Sequence, residues 1–270
     1  MTDKIDWSEL RHEMLLSTGR INFSNVDYWD KQAKEFQENI LQMGDLTQKQ
    51  LNRIPFSPDY TVLDVGAGTG RITIPLARHA LYVTALEPSA NMIALLKVNV
   101  QKEKVKNIEY RNTSIEDLDT RTIMPHDIVI ASFSLLMVNL KKALLNIDTI
   151  ATRGVYLFLS ASKWMDEEIQ NIVYGNDYSS SNLPDYIYVC NILDEIGILA
   201  NVDIWNFESK QKYNNLDEAT SRFMQQYSIP AKKQDELKVY LSKNLVRDNK
   251  GKMWLYRKKK AATIWWTKTK

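Results

Sequence analysis

The 270-residue sequence has a single cysteine, Cys190, and this shortage excludes two kinds of structure. One thiol cannot close an internal disulfide, and it cannot supply a cluster of thiolate ligands to a metal ion. Cys190 lies in an apolar helical pattern, so we expect it to pack in the interior. We predict no metal site.

Strong net charge and long apolar runs are also lacking. The formal net charge is +2, which does not favour a nucleic acid or a membrane surface as a partner. No apolar run is long enough to span a bilayer, and the first residues lack the apolar core of a secretory signal. We therefore expect a cytoplasmic protein without a nucleic-acid or membrane partner.

The most informative run is 61–70, Thr-Val-Leu-Asp-Val-Gly-Ala-Gly-Thr-Gly. An apolar, β-favouring stretch that ends in alternating glycines predicts a buried strand entering a tight turn. The apolar residues of 72–77, with Arg78 and His79, predict a helix of about three turns. In a strand–turn–helix unit, backbone N–H groups point at a ligand and no Cβ blocks its approach.

A second predicted strand, 82–86, ends at Glu87. An acidic residue at the tip of the second strand of a βαβ unit usually binds ribose hydroxyls. A carboxylate can accept hydrogen bonds from both hydroxyls, and its charge disfavours a 2′-phosphate. These two strands predict a nucleoside-containing cofactor lying across the turn.

The glycine spacing selects the cofactor. Gly66, Gly68 and Gly70 follow G-x-G-x-G, whereas dinucleotide-binding turns follow G-x-G-x-x-G. Asp64, just before the turn, would repel a pyrophosphate but could orient an ammonium group or support the turn. Here the sequence resembles the class I S-adenosylmethionine-dependent methyltransferases, whose first motif is an acidic residue followed by G-x-G-x-G.

The resemblance covers about 27–160 by motif and implies a fold and a set of cofactor contacts. The implied fold is a Rossmann-like, doubly wound, seven-stranded, mostly parallel α/β sheet with an antiparallel last strand. The implied cofactor is S-adenosyl-L-methionine. Its expected contacts are Tyr28, Asp64, Gly66, Ala67, Gly68, Gly70, Glu87, Pro88, Met92, Ser114, Ile115, Glu116, Ser132 and Phe133.

For several of these residues, the sequence leaves the kind of contact open. Tyr28 and Trp29 begin a helix that, in similar methyltransferases, folds over the cofactor as a lid. Met92 fits either a wall of the adenine pocket or the core. Ser114 stands where the family often has an aspartate, which puts the side-chain contact in doubt but leaves the backbone N–H of the next residue, Ile115.

Candidate contacts to the methyl acceptor lie at the start of the N-terminal lid helix and in the loops that follow the strands. They are Trp29, Ser134, Trp164, Tyr174 and Tyr178. The run 257–260, Arg-Lys-Lys-Lys, could steer an anionic substrate, but we interpret it as a solvated strand end.

Four segments are predicted along the chain. Residues 1–56 form an N-terminal helical lid or extension, and 57–213 form the cofactor-binding core. Residues 214–250 form a helical insertion, broken at Pro230, and 251–270 return to the sheet as its final strand.

The leading functional hypothesis is methyl transfer to a small-molecule acceptor by in-line displacement, in which proximity and alignment supply most of the acceleration. A general base is needed only if the acceptor must lose a proton, and none of His12, His79 and His126 lies in a catalytic motif, so we name no catalytic residue. The alternatives are a protein side-chain methyltransferase, a NAD-dependent oxidoreductase and a non-catalytic cofactor-binding regulator. DNA or RNA methylation is less expected, since no Asn-Pro-Pro-Tyr-like tetrad or basic stripe is present. Neither the acceptor nor the oligomeric state follows from these motifs.

Overall fold

One sheet of eight strands runs through the part of the chain that the computed structural model describes, residues 5–40, 43–163, 165–175 and 183–268. The strands are β1 (Thr61–Val65), β2 (Tyr82–Leu86), β3 (Ile108–Arg111), β4 (His126–Ser132), β5 (Ala151–Ser160), β6 (Asn201–Tyr213), β7 (Leu245–Arg247) and β8 (Met253–Thr267).

The sheet is parallel over five strands and antiparallel beside them. The strand order is β3-β2-β1-β4-β5-β8-β6, and β8 runs antiparallel to both of its neighbours. The order reverses beside β1, so the carboxyl ends of β1 and β4 flank the crevice where open α/β sheets bind ligands. The predicted Rossmann-like, mostly parallel sheet with an antiparallel last strand is confirmed, and the short β7 adds to the seven strands expected.

The α-helices connect and cover these strands. They are α1 (Trp7–Ser17), α2 (Val26–Ile40), α3 (Gly44–Leu51), α4 (Thr73–Ala77), α5 (Ala90–Lys102), α6 (Leu140–Ile150), α7 (Glu167–Tyr174), α8 (Asp185–Glu195), α9 (Leu216–Gln226) and α10 (Gln234–Asn244). None of the helices in the described ranges has the length and apolar character needed to cross a membrane.

Helix α4 is much shorter than predicted. It has five residues instead of about three turns. The amides of Arg78 and His79 bond to carbonyls three residues back, at 3.2 and 2.9 Å. Such bonds tighten the last turn of a helix and end it, so the chain can turn into β2.

Apolar side chains fill both faces of the sheet. On one face, α6 and α8 bury residues such as Leu144 and Ile192 against β4 and β5. On the other face, α3 and α4 bury Leu46, Ile72 and Leu76. The helices thus hold the sheet from two sides, as burial of both faces of a parallel sheet requires.

The paired strands β6 and β8 extend beyond the carboxyl end of β5. The last residue of β5, Ser160, pairs with Ala261, whereas β6 and β8 stay paired as far as Tyr213 and Met253. The predicted insertion lies at this end as α9, α10 and β7, and it has its own apolar core. The buried residues of this core are Met165, Ile169, Tyr213, Ala219, Phe223, Tyr227, Ile229, Leu237, Leu241, Leu245 and Leu255.

Candidate active site

The glycine turn lies at the carboxyl end of β1 and adopts the left-handed backbone that glycine permits. The φ angles of Gly66 and Gly68 are +72° and +55°. A Cβ on Gly66 would stand 2.3 Å from the Cβ of Ser134, so a side chain there would displace the loop after β4. A Cβ on Gly68 would lie 3.3 Å from the ring of Phe36, which shows that α2 passes directly over the turn.

The amides of this turn are already bonded within the chain. The N–H groups of Gly66 and Ala67 both donate to the carbonyl of Leu86, and the N–H of Gly70 donates to the carbonyl of Ala67. The N–H of Gly68 donates to the carboxylate of Glu87 at 2.8 Å. The expectation that backbone N–H groups of the turn point at a ligand is therefore wrong for these four amides. What the turn can offer a ligand is close approach to its backbone at the glycines, which have no Cβ.

Glu87 follows β2 and is buried beside the turn. One carboxylate oxygen accepts the Gly68 N–H and the other accepts the Ser89 N–H at 2.9 Å. Burial raises the pKa of Glu87, while these two backbone bonds act to lower it. The acidic side chain thus lies at the predicted place, held at the tip of β2 by backbone donors from both sides.

Asp64 lies inside β1 and is buried. It accepts a hydrogen bond of 2.6 Å from the hydroxyl of Thr73, the first residue of α4. Burial raises the pKa of Asp64 to about 6, against the lowering effects of the Thr73 bond and of Arg71. Asp64 was predicted either to orient an ammonium group or to support the turn. Its hydrogen bond to α4 fits the second role.

Helix α2 is fastened across the start of α5. Asp30 accepts from the Ser89 hydroxyl at 2.5 Å and from the Asn91 N–H at 3.0 Å, and Asn91 donates back to the carbonyl of Asp30. Farther along, Gln37 and Asn99 exchange hydrogen bonds, and Asn99 also donates to the Thr69 carbonyl in the turn. These bonds hold α2 over the glycine turn.

The aromatic residues of α2 divide between two places. Trp29 donates its indole N–H to the Phe23 carbonyl, and its ring centroid lies 5.8 Å from that of Phe36. Tyr28 packs on Phe23 and Trp29, with centroids 5.0 and 5.1 Å away, and lines a separate cleft of about 320 Å³ with Gln225 of α9. Of the aromatic rings of α2, that of Phe36 therefore lies against the glycine turn.

The loop after β3 arranges the predicted adenine contacts. The Ser114 hydroxyl donates to Asp117 at 2.6 Å and accepts the Asp117 N–H, so it closes a turn. This bonding explains how a serine is accommodated there, and it weakens the case for a side-chain contact. Ile115 is buried in the core, and Glu116, whose pKa burial raises, accepts the Asn139 N–H at 3.3 Å.

The end of β4 carries the remaining predicted contacts. Phe133 has a positive φ of +55°, and its N–H donates to the Phe158 carbonyl at 2.8 Å. Ser134 donates to the Val65 carbonyl at the end of β1. The Ser132 hydroxyl faces the other way and accepts hydrogen bonds from Gln50 and Arg71. The ends of β1 and β4 are thus tied together.

Comparison with known proteins assigns this arrangement to a family. Residues 62–153 match the model of the methyltransferase domain. An uncharacterised protein of Haemophilus influenzae is 28% identical over 207 residues, 76% of this chain and 75% of that one. A ubiquinone biosynthesis O-methyltransferase of Rhodopseudomonas palustris is 39% identical over 70 residues, 26% of each chain. A ribosomal RNA small subunit methyltransferase A of Desulforapulum autotrophicum is 28% identical over 90 residues, 33% of this chain and 32% of that one.

A solved structure has the same fold. A proposed methyltransferase from Bacillus halodurans C-125 aligns with a TM-score of 0.58 at 13% identity, covering 84% of this chain and all of that one. The chain is a class I S-adenosylmethionine-dependent methyltransferase.

Sequence reasoning missed two polar residues of this methyltransferase, Arg71 and Gln50. Arg71 donates to the hydroxyl of Thr47, to Gln50 and to Ser132, at 3.0, 2.6 and 2.6 Å. Burial lowers the pKa of Arg71 to about 10, and Asp64 opposes this shift. Arg71 follows Gly70 directly, so its position in the motif was a signal, but the partners on α3 were visible only in the fold.

Three of the remaining predicted residues have positions in the structure, and two lie outside the residues that it describes. Pro88 follows Glu87 and accepts from Asn112 through its carbonyl, and Met92 is fully buried in α5. Tyr174 ends α7 with about two fifths of its surface exposed. Trp164 and Tyr178 lie outside the described residues. Within the described ranges, no group of three or more His, Cys, Asp and Glu side chains is placed to hold a metal ion.

Proposed function

We propose that this methyltransferase acts on a small-molecule acceptor by in-line displacement. The proposal rests on one observation: helices α2 and α9 together cover the carboxyl edge of the sheet, and we call them the double cover. Helix α2 is bonded over the glycine turn, and α9 of the insertion meets it through the ion pair between Arg222 and Glu35, 3.2 Å apart. A covered edge favours an acceptor that is enclosed, because small ligands bind in concave sites that bury most of their surface.

The residues at the glycine turn fit S-adenosylmethionine as the cofactor. When bound, it supplies a methyl group on a positively charged sulfur. Each oxygen of Glu87 accepts one backbone N–H, which leaves further lone pairs for ribose hydroxyls. Gly68 presents no side chain, and the ring beside it, Phe36, offers a π face to a cation, worth on the order of 1 kcal/mol or more when desolvated.

The rest of the catalytic work is positioning. Because the leaving group is a sulfonium, alignment of the acceptor supplies most of the acceleration. The sheet edge that would align it is rigid: Ser134 bonds to β1, and Ser132 bonds to Arg71. His126 does not serve as a base there, since it begins β4 at the opposite edge and bonds to Thr84 at 2.8 Å.

Cofactor binding is tested through Glu87. We expect Glu87→Ala to weaken binding of S-adenosylmethionine at least tenfold, about 1.4 kcal/mol, because the ribose would lose a charged acceptor. Isothermal titration calorimetry measures this, with Glu13→Ala, an exposed carboxylate of α1, as the matched control. Unchanged affinity in Glu87→Ala, with the same melting temperature as wild type, would contradict the assignment of Glu87. A larger thermal stabilisation by NAD than by S-adenosylmethionine would favour the oxidoreductase alternative.

The size of the acceptor is tested separately. The protein is incubated with methyl-labelled S-adenosylmethionine and with three fractions of a cell extract: its ultrafiltrate, its protein and its RNA. We expect label in a small molecule of the ultrafiltrate that separates from S-adenosylmethionine by chromatography, because the double cover favours an enclosed acceptor. Label confined to the protein or RNA fraction would overturn the proposal and identify a macromolecular acceptor.

A further inference from the structure

The basic run 257–260 is only half solvated. Lys258 and Lys260 are exposed, as expected for a strand end, but Arg257 and Lys259 are turned inward. Only 10% of the Arg257 side chain is exposed. Because side chains alternate along a strand, these two cations share the face of β8 that also buries Leu255 and Ala261. The interpretation of the run as a solvated end is therefore wrong for two of its four residues.

Arg257 is incompletely bonded in its buried place. Its Nη1 lies 3.2 Å from Asp166 and 3.3 Å from the Tyr227 hydroxyl, and the guanidinium lies over the ring of Phe223 at 5.0 Å. Its Nε and Nη2 are buried and have no hydrogen-bond partner among the residues that the structure describes. Buried donors without a partner are costly, so these two call for an explanation.

The two unpartnered atoms form a recognition edge. Nε–H and Nη2–H lie side by side on one edge of the planar guanidinium and point in the same direction. That edge matches the two oxygens of a carboxylate or phosphate, which it binds through two parallel hydrogen bonds. Asp166 does not use this edge, since it meets Nη1.

Lys259 adds a second cation on the same face. Its ammonium makes no ion pair or hydrogen bond to any residue that the structure describes. Burial lowers the pKa of Lys259, Arg257 lowers it further, and Asp166 acts in the opposite direction. Two positive charges therefore share one carboxylate, and Asp166 is itself nearly half exposed.

The pair lies beyond the carboxyl edge of the sheet, on the side of the methyl acceptor. At the strand rise of about 3.4 Å per residue, Lys259 and Arg257 stand about 7 and 14 Å past Ala261, which pairs with the end of β5. Lys259 pairs in register with Phe207, whose ring is 6.4 Å from that of Phe133 at the end of β4.

We propose that Arg257 and Lys259 bind an anionic group, a carboxylate or a phosphate, of the methyl acceptor. This inference rests on the proposed function and adds a chemical class to it. Arg257 binds the anion through its free edge, and Lys259 supplies the charge that balances it. The acceptor is then a small organic acid or phosphate ester whose methylated atom lies on the far side, toward Phe133.

The proposal is tested by binding of inorganic phosphate and of acetate to the full chain loaded with S-adenosylmethionine. The melting temperature is followed at constant ionic strength, with chloride as the replaced ion. Wild type should be stabilised by at least one of the two anions. Lys259→Gln should need at least fivefold more of that anion for the same shift, and Arg257→Lys should behave likewise because it keeps the charge and loses the paired donors. Lys258→Gln and Lys260→Gln, exposed neighbours in the same strand, should match wild type.

Each result of the anion test either supports or overturns the proposed anion site. Equal anion responses in wild type and Lys259→Gln, or no response of wild type to either anion, would overturn the proposal. Calorimetric binding of S-adenosylmethionine to Lys259→Gln keeps this result separate from the proposed function, because Lys259 lies on β8, and β4 and β5 stand between β8 and the glycine turn at the end of β1. If Lys259→Gln binds the cofactor normally and loses the anion response, the anion site is supported. Loss of cofactor binding in that variant would count against a site confined to the acceptor.

Discussion

At the scale of single residues, burial sets the protonation of the site more than local hydrogen bonds do. Asp64 shows this, because burial is the largest cause of its raised pKa of about 6, and the bond from Thr73 only moderates the shift. A carboxyl inside a parallel strand loses water on both sides, and its charged form is disfavoured. The residue that opens the first motif is therefore held in the fold at a cost in stability at neutral pH.

We expect Asp64→Asn to remove this cost. A raised carboxyl pKa means that the folded chain binds more protons than the unfolded chain between about pH 4 and about pH 6, so wild-type stability falls as pH rises through that window. The stability of Asp64→Asn relative to wild type should rise by about 2 kcal/mol from about pH 4 to about pH 7. Urea unfolding at several pH values measures this.

Asp59→Asn, an exposed residue just before β1, is the control for that series. It should follow wild type at every pH. A constant difference between Asp64→Asn and wild type across the window would show that Asp64 titrates normally in the folded chain.

The residues that could be predicted are those that a local motif defines. Gly66, Gly68 and Glu87 were placed correctly at the tips of β1 and β2, because residues close together in the sequence define the glycine spacing and the strand ends. Arg71 and Phe36 were not assigned to the site. Their roles depend on where α3 and α2 dock, and docking is decided by contacts between distant parts of the chain.

At the scale of elements, α2 is a cover held by a small number of polar bonds. Asp30→Ala removes the acceptor for Ser89 and Asn91, and losing such partners costs about 1–3 kcal/mol. We expect the amides of α2 to exchange hydrogen at least tenfold faster in this variant, since local opening becomes easier. Hydrogen-exchange mass spectrometry of wild type and variant measures the effect.

Glu38→Ala provides the comparison, because Glu38 is exposed on the same helix. Its exchange should equal that of wild type. Exchange in Asp30→Ala that is unchanged in α2 would mean that the aromatic contacts of Trp29 and Phe36 hold the helix without Asp30.

Strands were predicted more accurately than helices. Strand β2 has the predicted bounds 82–86, and β8 lies within the segment 251–270 that was predicted to return to the sheet. Helix α4 was overestimated because Arg78 and His79 were taken to continue the helix, whereas it ends at Ala77 so that the chain can turn into β2. The inward turn of Arg257 and Lys259 could not be predicted, because it depends on which face of β8 the insertion covers.

At the scale of the whole molecule, two of the apolar centres formed by the described residues lie in different parts of the fold. The sheet and its flanking helices bury one set of residues around β4 and β5. The end of the β6–β8 pair, with α9 and α10, buries a second set that includes Leu241. Ile115, a predicted cofactor contact, belongs to the first centre, whereas Arg257 of the proposed anion site lies over Phe223 of the second. We therefore expect acceptor choice to vary with changes in the insertion while the cofactor site stays the same.

This division predicts that the insertion opens independently of the sheet. Leu241 and Leu144 are both fully buried, one in each centre, and a Leu→Ala change at such a position costs about 2–5 kcal/mol. Leu241→Ala should speed hydrogen exchange in 216–247 and leave exchange in β1 and β4, and calorimetric affinity for S-adenosylmethionine, close to wild type. Leu144→Ala should instead lower the midpoint of global unfolding and speed exchange in the sheet. If Leu241→Ala speeds exchange equally in β4, the two centres unfold as one cooperative unit, and the acceptor cover cannot open while the cofactor site stays folded.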